Sequence, residues 1–295
     1  MGEEQPAFTA SRRVGEAIVT VISDGILRTA PMISWLDQPE DEARHAMPEV
    51  DAKGEMELGM NVVHVCLGEA SILLDPGWGE LNPASWLVTE LGAERSPGVQ
   101  AALPTLGIQA EDITHVLISH AHDDHFTGAT VERERRQAPR YPNARYLLGR
   151  ADWEDNPERD VEGSESATHL GALDRLGLLD LVEGDYEVVP GVTMIHSPGE
   201  SPGHTIMRVQ SAGSTFFYLG DLFHHPCEIE RPDWIFFERT DEERRASRAS
   251  RDRLLAEAAD HDAILVFTHG PFPGWGRVVR SASCYQWRYE MPSHQ

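Results

Sequence analysis

The stretch VLISHAHDDHFTGA, residues 116–129, places three histidines and two aspartates within six residues, directly after an apolar run. The apolar run is typical of a buried β-strand, and the polar residues then lie where the strand ends. His120 and His122 are two positions apart, so in an extended chain both side chains point to the same face. Asp124 and His125 follow in the loop and can turn towards a second position. A loop that only faces water has a similar composition, so partners elsewhere in the chain decide the interpretation.

Three later apolar segments end in the same way. The segments VTMIHSPGESPG, TFFYLG and AILVFT lead to His204, Asp221 and His269. Side chains at the ends of neighbouring strands meet along one edge of a sheet, where α/β proteins commonly bind ligands. Five histidines and two aspartates exceed what one tetrahedral zinc ion uses, which predicts two metal ions with a shared ligand. Histidine and carboxylate ligands without thiolate favour zinc, iron, manganese or cobalt.

The composition excludes several classes of protein. The 295 residues are 40% hydrophobic and 25% charged, as in an ordinary globular protein with a sizeable core. A net charge of −24 repels phosphate backbones, so no nucleic-acid partner is expected. No apolar run is long enough to cross a membrane, and the first residues lack the basic-then-apolar pattern of a secretory signal. We therefore expect a cytoplasmic protein with no membrane partner.

Strand and helix patterns alternate along the chain without a break in composition. We expect a flexible N-terminal tail over residues 1–15 and a single domain over residues 16–295. Segments near 27–59 and 150–180 are predicted insertions, and the second is helical in character. This alternation favours an α/β fold with two sheets and outer helices.

Other residues near the strand ends are candidates for contact with a substrate. Aromatic side chains there would form an apolar pocket, and one of two adjacent histidines would line it, although core packing and solvent exposure are equally compatible with these patterns. The candidates are Phe223, His224, His225, Phe272 and Trp275. The 27–59 segment also carries an apolar cluster that would cover the site or join two copies in a homodimer: Met32, Ile33, Trp35 and Leu36.

The motif HAHDDH, followed by one histidine, one aspartate and one histidine, resembles the HxHxDH…H…D…H signature of the metallo-β-lactamase superfamily. The resemblance implies an αββα sandwich, two mixed β-sheets flanked by helices, over nearly the whole chain. It also implies that His120, His122 and His204 bind the first ion. The second ion would be bound by Asp124, His125 and His269, and Asp221 would bridge the two ions. The segment LLDPG at residues 73–77 is similar to the strand end VDTG of the family, so Asp75 would support the ligands without binding metal.

Further motifs narrow the resemblance to one branch. THGPFPGWGRV at residues 268–278 and GDLFHHP at residues 220–226 look like the branch of methyl-parathion hydrolases and quorum-quenching lactonases. The usual PGHTPGHT of that branch is PGESPGHT here, with Glu200 in place of its first histidine. On this interpretation the ligand is His204, and Glu200 lies outside the ligand set.

The resemblance implies a metal-dependent hydrolase of a small ester, with a lactone or carboxylic ester as the first expectation. Two divalent ions, expected to be Zn²⁺ with iron, manganese or cobalt as alternatives, would share a bridging hydroxide that attacks the ester. With two aspartates that assembly keeps about one positive charge, which suits a developing oxyanion. Asp124 would also act catalytically, by orienting the nucleophile or by passing a proton to the leaving alkoxide.

Other functions remain open at this point. Hydrolysis of an aryl phosphotriester or of a glutathione thioester would use the same metal ions. A sulfur dioxygenase with a single iron ion would instead consume oxygen. A binding module without catalysis is disfavoured, because the positions of the signature are intact.

Overall fold

The computed structural model describes residues 8–30, 40–81, 83–236, 239–282 and 284–290. Within these ranges the chain forms seventeen strands and eight α-helices, with two short 3₁₀ turns (Ala110–Asp112 and Thr127–Ala129) and one π turn (Ser166–Leu170). The strands are β1 (Thr9–Val14), β2 (Ala17–Thr29), β3 (Met56–Leu67), β4 (Ala70–Leu74), β5 (Glu94–Arg95), β6 (His115–Ile118), β7 (Thr130–Arg133), β8 (Arg136–Pro139), β9 (Arg145–Gly149), β10 (Leu179–Val182), β11 (Tyr186–Val189), β12 (Val192–His196), β13 (Thr205–Ser211), β14 (Ser214–Tyr218), β15 (Ile264–Val266), β16 (Gly276–Arg280) and β17 (Tyr285–Tyr289).

The helices are fewer than the strands, and all of them are short except the last. They are α1 (Glu40–Ala46), α2 (Trp86–Thr89), α3 (Gly98–Thr105), α4 (Asp123–Phe126), α5 (Arg150–Glu154), α6 (Gly171–Arg175), α7 (Cys227–Glu230) and α8 (Asp241–Asp260). Among the residues described, no helix combines the length and the apolar character needed to cross a membrane.

The strands form two large mixed sheets and one separate hairpin. The first sheet has the order β1-β2-β3-β4-β6-β9-β10, with β5 paired to β2. Its strands β4, β6, β9 and β10 are parallel neighbours. The second sheet runs from β11 to β17 in chain order, and β14 and β15 are its parallel pair. Strands β7 and β8 form the hairpin.

Alternation of side chains along the strands produces three buried layers. Val63 of the first sheet and Phe216 of the second lie in the layer between the sheets. The next residue back, Val62, points to the other face, where α3 and the segment around α5 cover the first sheet. Leu254 of α8 packs in the third layer, on the outer face of the second sheet. The order helix, sheet, sheet, helix confirms the predicted αββα sandwich.

Some boundaries predicted from the sequence are wrong. Residues 9–14 form β1, which pairs antiparallel with β2, so the tail predicted over residues 1–15 does not hold for this stretch. The 150–180 segment connects the parallel strands β9 and β10, which need a crossover, so it is that crossover and not an insertion. Strands β2 and β3 occupy both ends of the 27–59 segment.

The apolar cluster of the 27–59 segment lies outside the described residues, because the description stops at residue 30 and resumes at residue 40. Its expected role as a cover or as a contact between two copies stays a prediction. The flanking residues that are described, Leu27, Thr29 and Leu58, line the cavity described below.

Candidate metal centre

The candidate ligands come together at one edge of the two sheets. The HAHDDH motif starts two residues after the end of β6, and its second half begins helix α4. Asp221 follows β14 and His269 follows β15, and these two strands are parallel neighbours whose ends coincide. Most of these side chains are buried, but the side chain of His122 is 47% exposed and faces the cavity. The cluster therefore has one open side.

The Asp221 carboxylate lies at the centre of this cluster. Its Oδ2 is 3.3 Å from Nε2 of His125 and 3.3 Å from Nε2 of His269. The same oxygen is 3.7 Å from Nε2 of His120 and 3.4 Å from Nε2 of His224. A carboxylate shared by two ions requires such a central position.

The charges in the cluster shift several pKa values. Burial raises the pKa of Asp221, but the surrounding histidines, His125 first, outweigh it and hold that pKa well below its usual range. Burial lowers the pKa of His125, yet the carboxylates of Asp221 and Asp124 outweigh it and leave that pKa well above its usual value. For His120 burial prevails, and its pKa falls well below the usual value. Asp221 is therefore a fixed negative charge at the centre.

Hydrogen bonds to Nδ1 orient the imidazoles of the candidate ligands. His125 Nδ1 donates to Oδ2 of Asp75 at 2.8 Å, and His269 Nδ1 donates to the carbonyl oxygen of Gly59 at 3.0 Å. These bonds place a proton on each Nδ1 and direct each Nε2 into the cluster, as in protein metal sites.

Asp75 holds this arrangement from behind. It follows β4 with a φ of 51°, and it is 1% exposed. Its carboxylate accepts hydrogen bonds from the Ser119 N–H at 2.7 Å, from the Ser119 hydroxyl at 2.8 Å and from the Tyr218 hydroxyl at 3.0 Å. It therefore ties the start of the HAHDDH motif to the second sheet. This geometry suits the supporting role that the resemblance implies.

His204 lies beside the cluster, with 5.2 Å between the centroids of its ring and the His120 ring. Its Nδ1 donates to the carbonyl oxygen of Ser197 at 3.0 Å, and its Nε2 accepts from the Asp221 N–H at 3.2 Å. A neutral imidazole has one donor and one acceptor, so backbone groups use both. Burial lowers the pKa of His204, which favours this neutral form. Both ring nitrogens of His120 also have partners, Oγ of Ser119 at 2.9 Å and Nδ1 of His122 at 2.8 Å. The ligand role expected for His204 therefore stays a prediction.

Glu200 also lies at the cluster, with a side chain that is 7% exposed. One donor atom of each of four residues, His120, His122, Glu200 and Asp221, lies within 4.8 Å of the others. Oε1 of Glu200 is 3.5 Å from Nδ1 of His122 and also pairs with the Arg239 guanidinium. Burial raises the pKa of Glu200, but nearby histidines and Arg239 outweigh it and hold that pKa below its usual range. The signal in the sequence is the exchange of histidine for glutamate in PGESPGHT.

The remaining ligand candidates form two further groups around Asp221. Oδ2 of Asp124 is 3.5 Å from Nε2 of His125 and 3.6 Å from Nε2 of His269, and these three residues form one group. Asp221, His224 and His269 form the other. His224 lies parallel to His269, with 5.5 Å between the ring centroids, and stacks on Phe236 at 4.2 Å.

The residues of the cluster fit divalent metal ions. Among the described residues, Nε2 of His125 and Oδ1 of Asp221 are buried without a hydrogen-bond partner. Buried polar atoms without partners are rare in native proteins, and each such atom calls for an explanation. Imidazole nitrogens and carboxylate oxygens are ligands of zinc and of its first-row neighbours. Bound cations would supply the missing partners.

A cavity of about 540 Å³ opens above the cluster. Its floor is polar and contains His122, Asp124, Glu200, Asp221, His224, Arg239 and His269. Its wall is mainly apolar and contains Leu27, Leu58, Trp86, Leu87, Leu91 and Phe236. A cavity of this size and character accommodates a small molecule with one polar and one apolar end.

Four of the five residues predicted to line a substrate pocket do not line this cavity. Phe223 is fully buried in the layer under α8, and Trp275 is buried between the sheets, where Phe272 also packs. His225 points away, since its Nε2 pairs with Glu49 and its Nδ1 accepts from the Cys227 N–H at 3.1 Å. Those predictions are wrong because aromatic residues near strand ends serve the core equally well. Of the predicted set, His224 lines the cavity.

Comparison with known families and proteins gives a consistent result. The family model described as metallo-beta-lactamase superfamily matches residues 58–269, more than half of the chain. An N-acyl homoserine lactonase of a Bacillus species is 31% identical over 112 residues, which cover 38% of this chain and 39% of that protein. A probable metallo-hydrolase of Mycobacterium tuberculosis is 24% identical over 190 residues, 56% of this chain and 57% of that protein. The chain thus matches about two fifths to three fifths of the length of these relatives.

Solved structures share the fold over almost the whole chain. A dizinc quorum-quenching lactonase, AidC, solved in complex with the product N-hexanoyl-L-homoserine, has a TM-score of 0.74 at 21% identity and covers 96% of this chain and 97% of its own. A hydrolase of the beta lactamase superfamily, AbOPH, has a TM-score of 0.77 at 22% identity and covers 99% of both chains. At these identities the likeness shows the fold alone.

Proposed function

Because the chain belongs to the metallo-beta-lactamase superfamily, we propose that it is a metal-dependent hydrolase of a small ester, with a lactone or a carboxylic ester as its substrate. One observation carries the proposal: imidazole nitrogens surround Oδ2 of Asp221, and the Asp124 carboxylate lies beside two of these imidazoles, at the floor of a largely apolar cavity. Such a floor binds cations, and such a wall binds the apolar part of an ester.

The proposed site holds two divalent ions, with Zn²⁺ as the expectation from the sequence. The side chains proposed to hold them are His120, His122, Asp124, His125, His204, Asp221 and His269. When bound, the ions supply a Lewis acid for the ester carbonyl and lower the pKa of a bound water from 15.7 to about 7. Asp75 keeps the imidazole of His125 in the orientation that binding requires.

Two side chains of the floor have proposed roles towards the substrate. Asp124 lines the cavity, so its carboxylate can orient the attacking water and return a proton to the leaving oxygen. His224 also lines the cavity, and its ring is fixed between Phe236 and His269. A ring N–H fixed in this way can donate a hydrogen bond to the oxygen that gains charge, at no cost in reorganisation.

The apolar wall favours an acyl or alkyl group on the substrate. The indole of Trp86 is 47% exposed at this wall, although large apolar side chains usually avoid water. A bound acyl group would cover it. The N-acyl homoserine lactonases among the relatives support a lactone as the first substrate to test.

The test is a panel of initial rates with the purified protein, before and after chelation and after return of metal. The panel contains an acyl-homoserine lactone, an aryl ester, methyl parathion, a glutathione thioester and a β-lactam. We expect turnover of the lactone or the aryl ester that chelation abolishes and metal restores, without oxygen uptake. Turnover confined to methyl parathion or to the thioester would move the proposal to that bond. No turnover by protein with both ions bound, or uptake of oxygen with a glutathione persulfide, would overturn it.

Replacement of His224 by Phe is expected to lower kcat about 10²-fold to 10³-fold, the range for removal of one hydrogen-bond donor to an oxyanion. Phe preserves the stacking on Phe236 but removes both nitrogens. Steady-state kinetics and metal content are measured together. The matched control is His225→Gln, which alters the neighbouring histidine that points away from the cavity and is expected to keep kcat. Equal losses in the two variants would contradict a role of His224 at the substrate.

A further inference from the structure

We propose that Asp152 is a positioning residue for the first of the two proposed ions, which His120, His122 and His204 would bind. The proposal rests on the proposed function, since it concerns one of its two ion sites. Asp152 lies in α5, within the crossover between β9 and β10 and outside the motifs identified in the sequence. Its carboxylate joins the two loops that carry these histidines and thereby sets the distance between them.

The first step is that the Asp152 carboxylate accepts hydrogen bonds from both loops. Its Oδ2 accepts from the Ala121 N–H of the HAHDDH loop at 3.1 Å and from the Ser201 hydroxyl of the PGESPGHT loop at 2.7 Å. Its Oδ1 accepts from the Gly203 N–H of the second loop at 2.6 Å. Asp152 is 4% exposed, so these bonds replace the water that the carboxylate loses on burial. Hydrogen bonds to a charged acceptor are also stronger than neutral ones.

The second step is that each of these loops is held directly beside a predicted ligand. Ala121 separates His120 from His122, and Gly203 directly precedes His204. The centroid of the His120 ring is 5.2 Å from that of His204 and 4.3 Å from that of His122. A shift of either loop would change these separations, and an ion bound by all three rings requires them to stay fixed.

A second tie joins the same loops on the other side of the two histidines along the chain. The Thr205 N–H donates to the carbonyl oxygen of Ser119 at 2.8 Å. Ser119 precedes His120 and Thr205 follows His204, whereas the contacts of Asp152 lie after the first histidine and before the second. One hydrogen bond alone would leave a hinge between the loops. The bonds to Asp152 remove that freedom.

The second loop packs against α5 at close range. A Cβ on Gly203 would lie 2.5 Å from the backbone nitrogen of Asp152, so a larger residue there would push the two segments apart. A Cβ on Gly149, at the end of β9, would lie 2.0 Å from the carbonyl oxygen of Gly203. The end of β9 and the start of α5 therefore form a fixed surface from which Asp152 holds both loops.

The consequence is an effect on one ion only. Groups that orient the ligands of a metal contribute about 10-fold to 100-fold to its affinity. Within the described ranges, the hydrogen bonds of Asp152 reach none of the residues proposed for the second ion, which are Asp124, His125 and His269. Loss of the Asp152 carboxylate should therefore weaken the first ion and spare the second.

The test is the affinity for Zn²⁺, measured by competition with a chelator, in two backgrounds that each lack one ligand. His269→Ala is expected to leave the first ion, and His122→Ala the second. With His269→Ala, Asp152→Asn should weaken the remaining ion about 10-fold to 100-fold, because the amide nitrogen accepts no hydrogen bond from the loops. With His122→Ala, the same substitution should leave the affinity unchanged. In the otherwise unchanged chain it should weaken one ion of the two.

The matched control is Asp155→Asn, which removes the same charge from an exposed aspartate of the same cavity and should keep both affinities. Saturating Zn²⁺ should restore the kcat of Asp152→Asn, since a positioning residue touches neither the ion nor the substrate. Ser201→Ala removes one of the three bonds and should weaken the same ion by a smaller factor, so the test holds even where Asp152→Asn does not fold.

The unfolding temperature of the metal-free protein identifies a variant that is only destabilised. Unchanged affinity for both ions in Asp152→Asn, or equal weakening of both, would overturn the proposal. Absence of turnover by the wild type with both ions bound would overturn the proposed function instead, and the Zn²⁺ affinities would still decide the role of Asp152.

Discussion

Replacement of Asp221 by Asn is expected to lower kcat/KM about 10⁴-fold or more, because the ions that lower the pKa of water by several units are no longer held together. Oδ2 of Asp221 lies 3.3 Å from Nε2 of His125 and of His269, and its side chain is 5% exposed. Asn has the same size but no charge, and its amide nitrogen cannot bind a cation. The variant therefore keeps the imidazoles and loses the negative centre that balances two cations.

Metal content and thermal unfolding, with and without added metal, check this expectation. Wild type should unfold at a higher temperature when metal is present, since ions that bind only the folded state stabilise it. The Asp221→Asn substitution should abolish most of that increase. The control is Asp24→Asn, at a carboxylate that is fully buried away from the cavity, where burial raises the pKa to about 6. That variant should keep both ions, so two ions in the Asp221 variant would contradict the bridging role.

The convergence of the ligands could be predicted from the sequence for a simple physical reason. An apolar run identifies a buried strand, and polar side chains directly after it must lie at the edge of a sheet. His120, Asp221 and His269 all follow such runs, so their proximity could be predicted without knowledge of the loop conformations. The long helix α8 was predictable for a similar reason, because Thr240 and Glu243 form the capping box expected at its start.

The place of Glu200 beside the cluster could not be predicted in the same way. Glu200 and His204 both lie between β12 and β13, at the same edge of the sheet. The Glu200 carboxylate is held at the cluster by its pairing with Arg239, which lies just before the start of α8. This contact joins distant parts of the chain, and no local pattern encodes it.

Aromatic residues and edge strands were mispredicted for a different reason. Phe223 and Trp275 are aromatic residues of a kind found both in pockets and in cores. They are buried because the face of the chain that carries them turns towards the core. Strand β1, with the sequence TASRRV, is polar because it lies at the edge of the first sheet and is paired on one side. The neighbouring strand β2 supplies the apolar residues of this pair, so the polar sequence of β1 alone resembles that of a tail.

Replacement of Asp124 by Asn is expected to lower kcat about 10²-fold to 10⁴-fold on a lactone or alkyl ester, the range for loss of a general acid or base. Asp124 is 6% exposed and lines the cavity, with Oδ2 3.5 Å from Nε2 of His125. It can therefore hold an ion and also exchange a proton with the substrate. These two roles are separable, because only the second depends on the leaving group.

An alkoxide leaving group needs a proton, whereas 4-nitrophenolate leaves without one. If Asp124 donates that proton, Asp124→Asn should lose much less activity on the 4-nitrophenyl ester than on the alkyl ester of the same acid, with metal content held equal by saturating ions. The matched control is Asp112→Asn, an exposed aspartate remote from the cavity, which should show no dependence on the leaving group. Equal losses on both esters would confine Asp124 to metal binding, and the proton would then have to come from water or from His224, whose Phe variant can be tested on the same pair of esters.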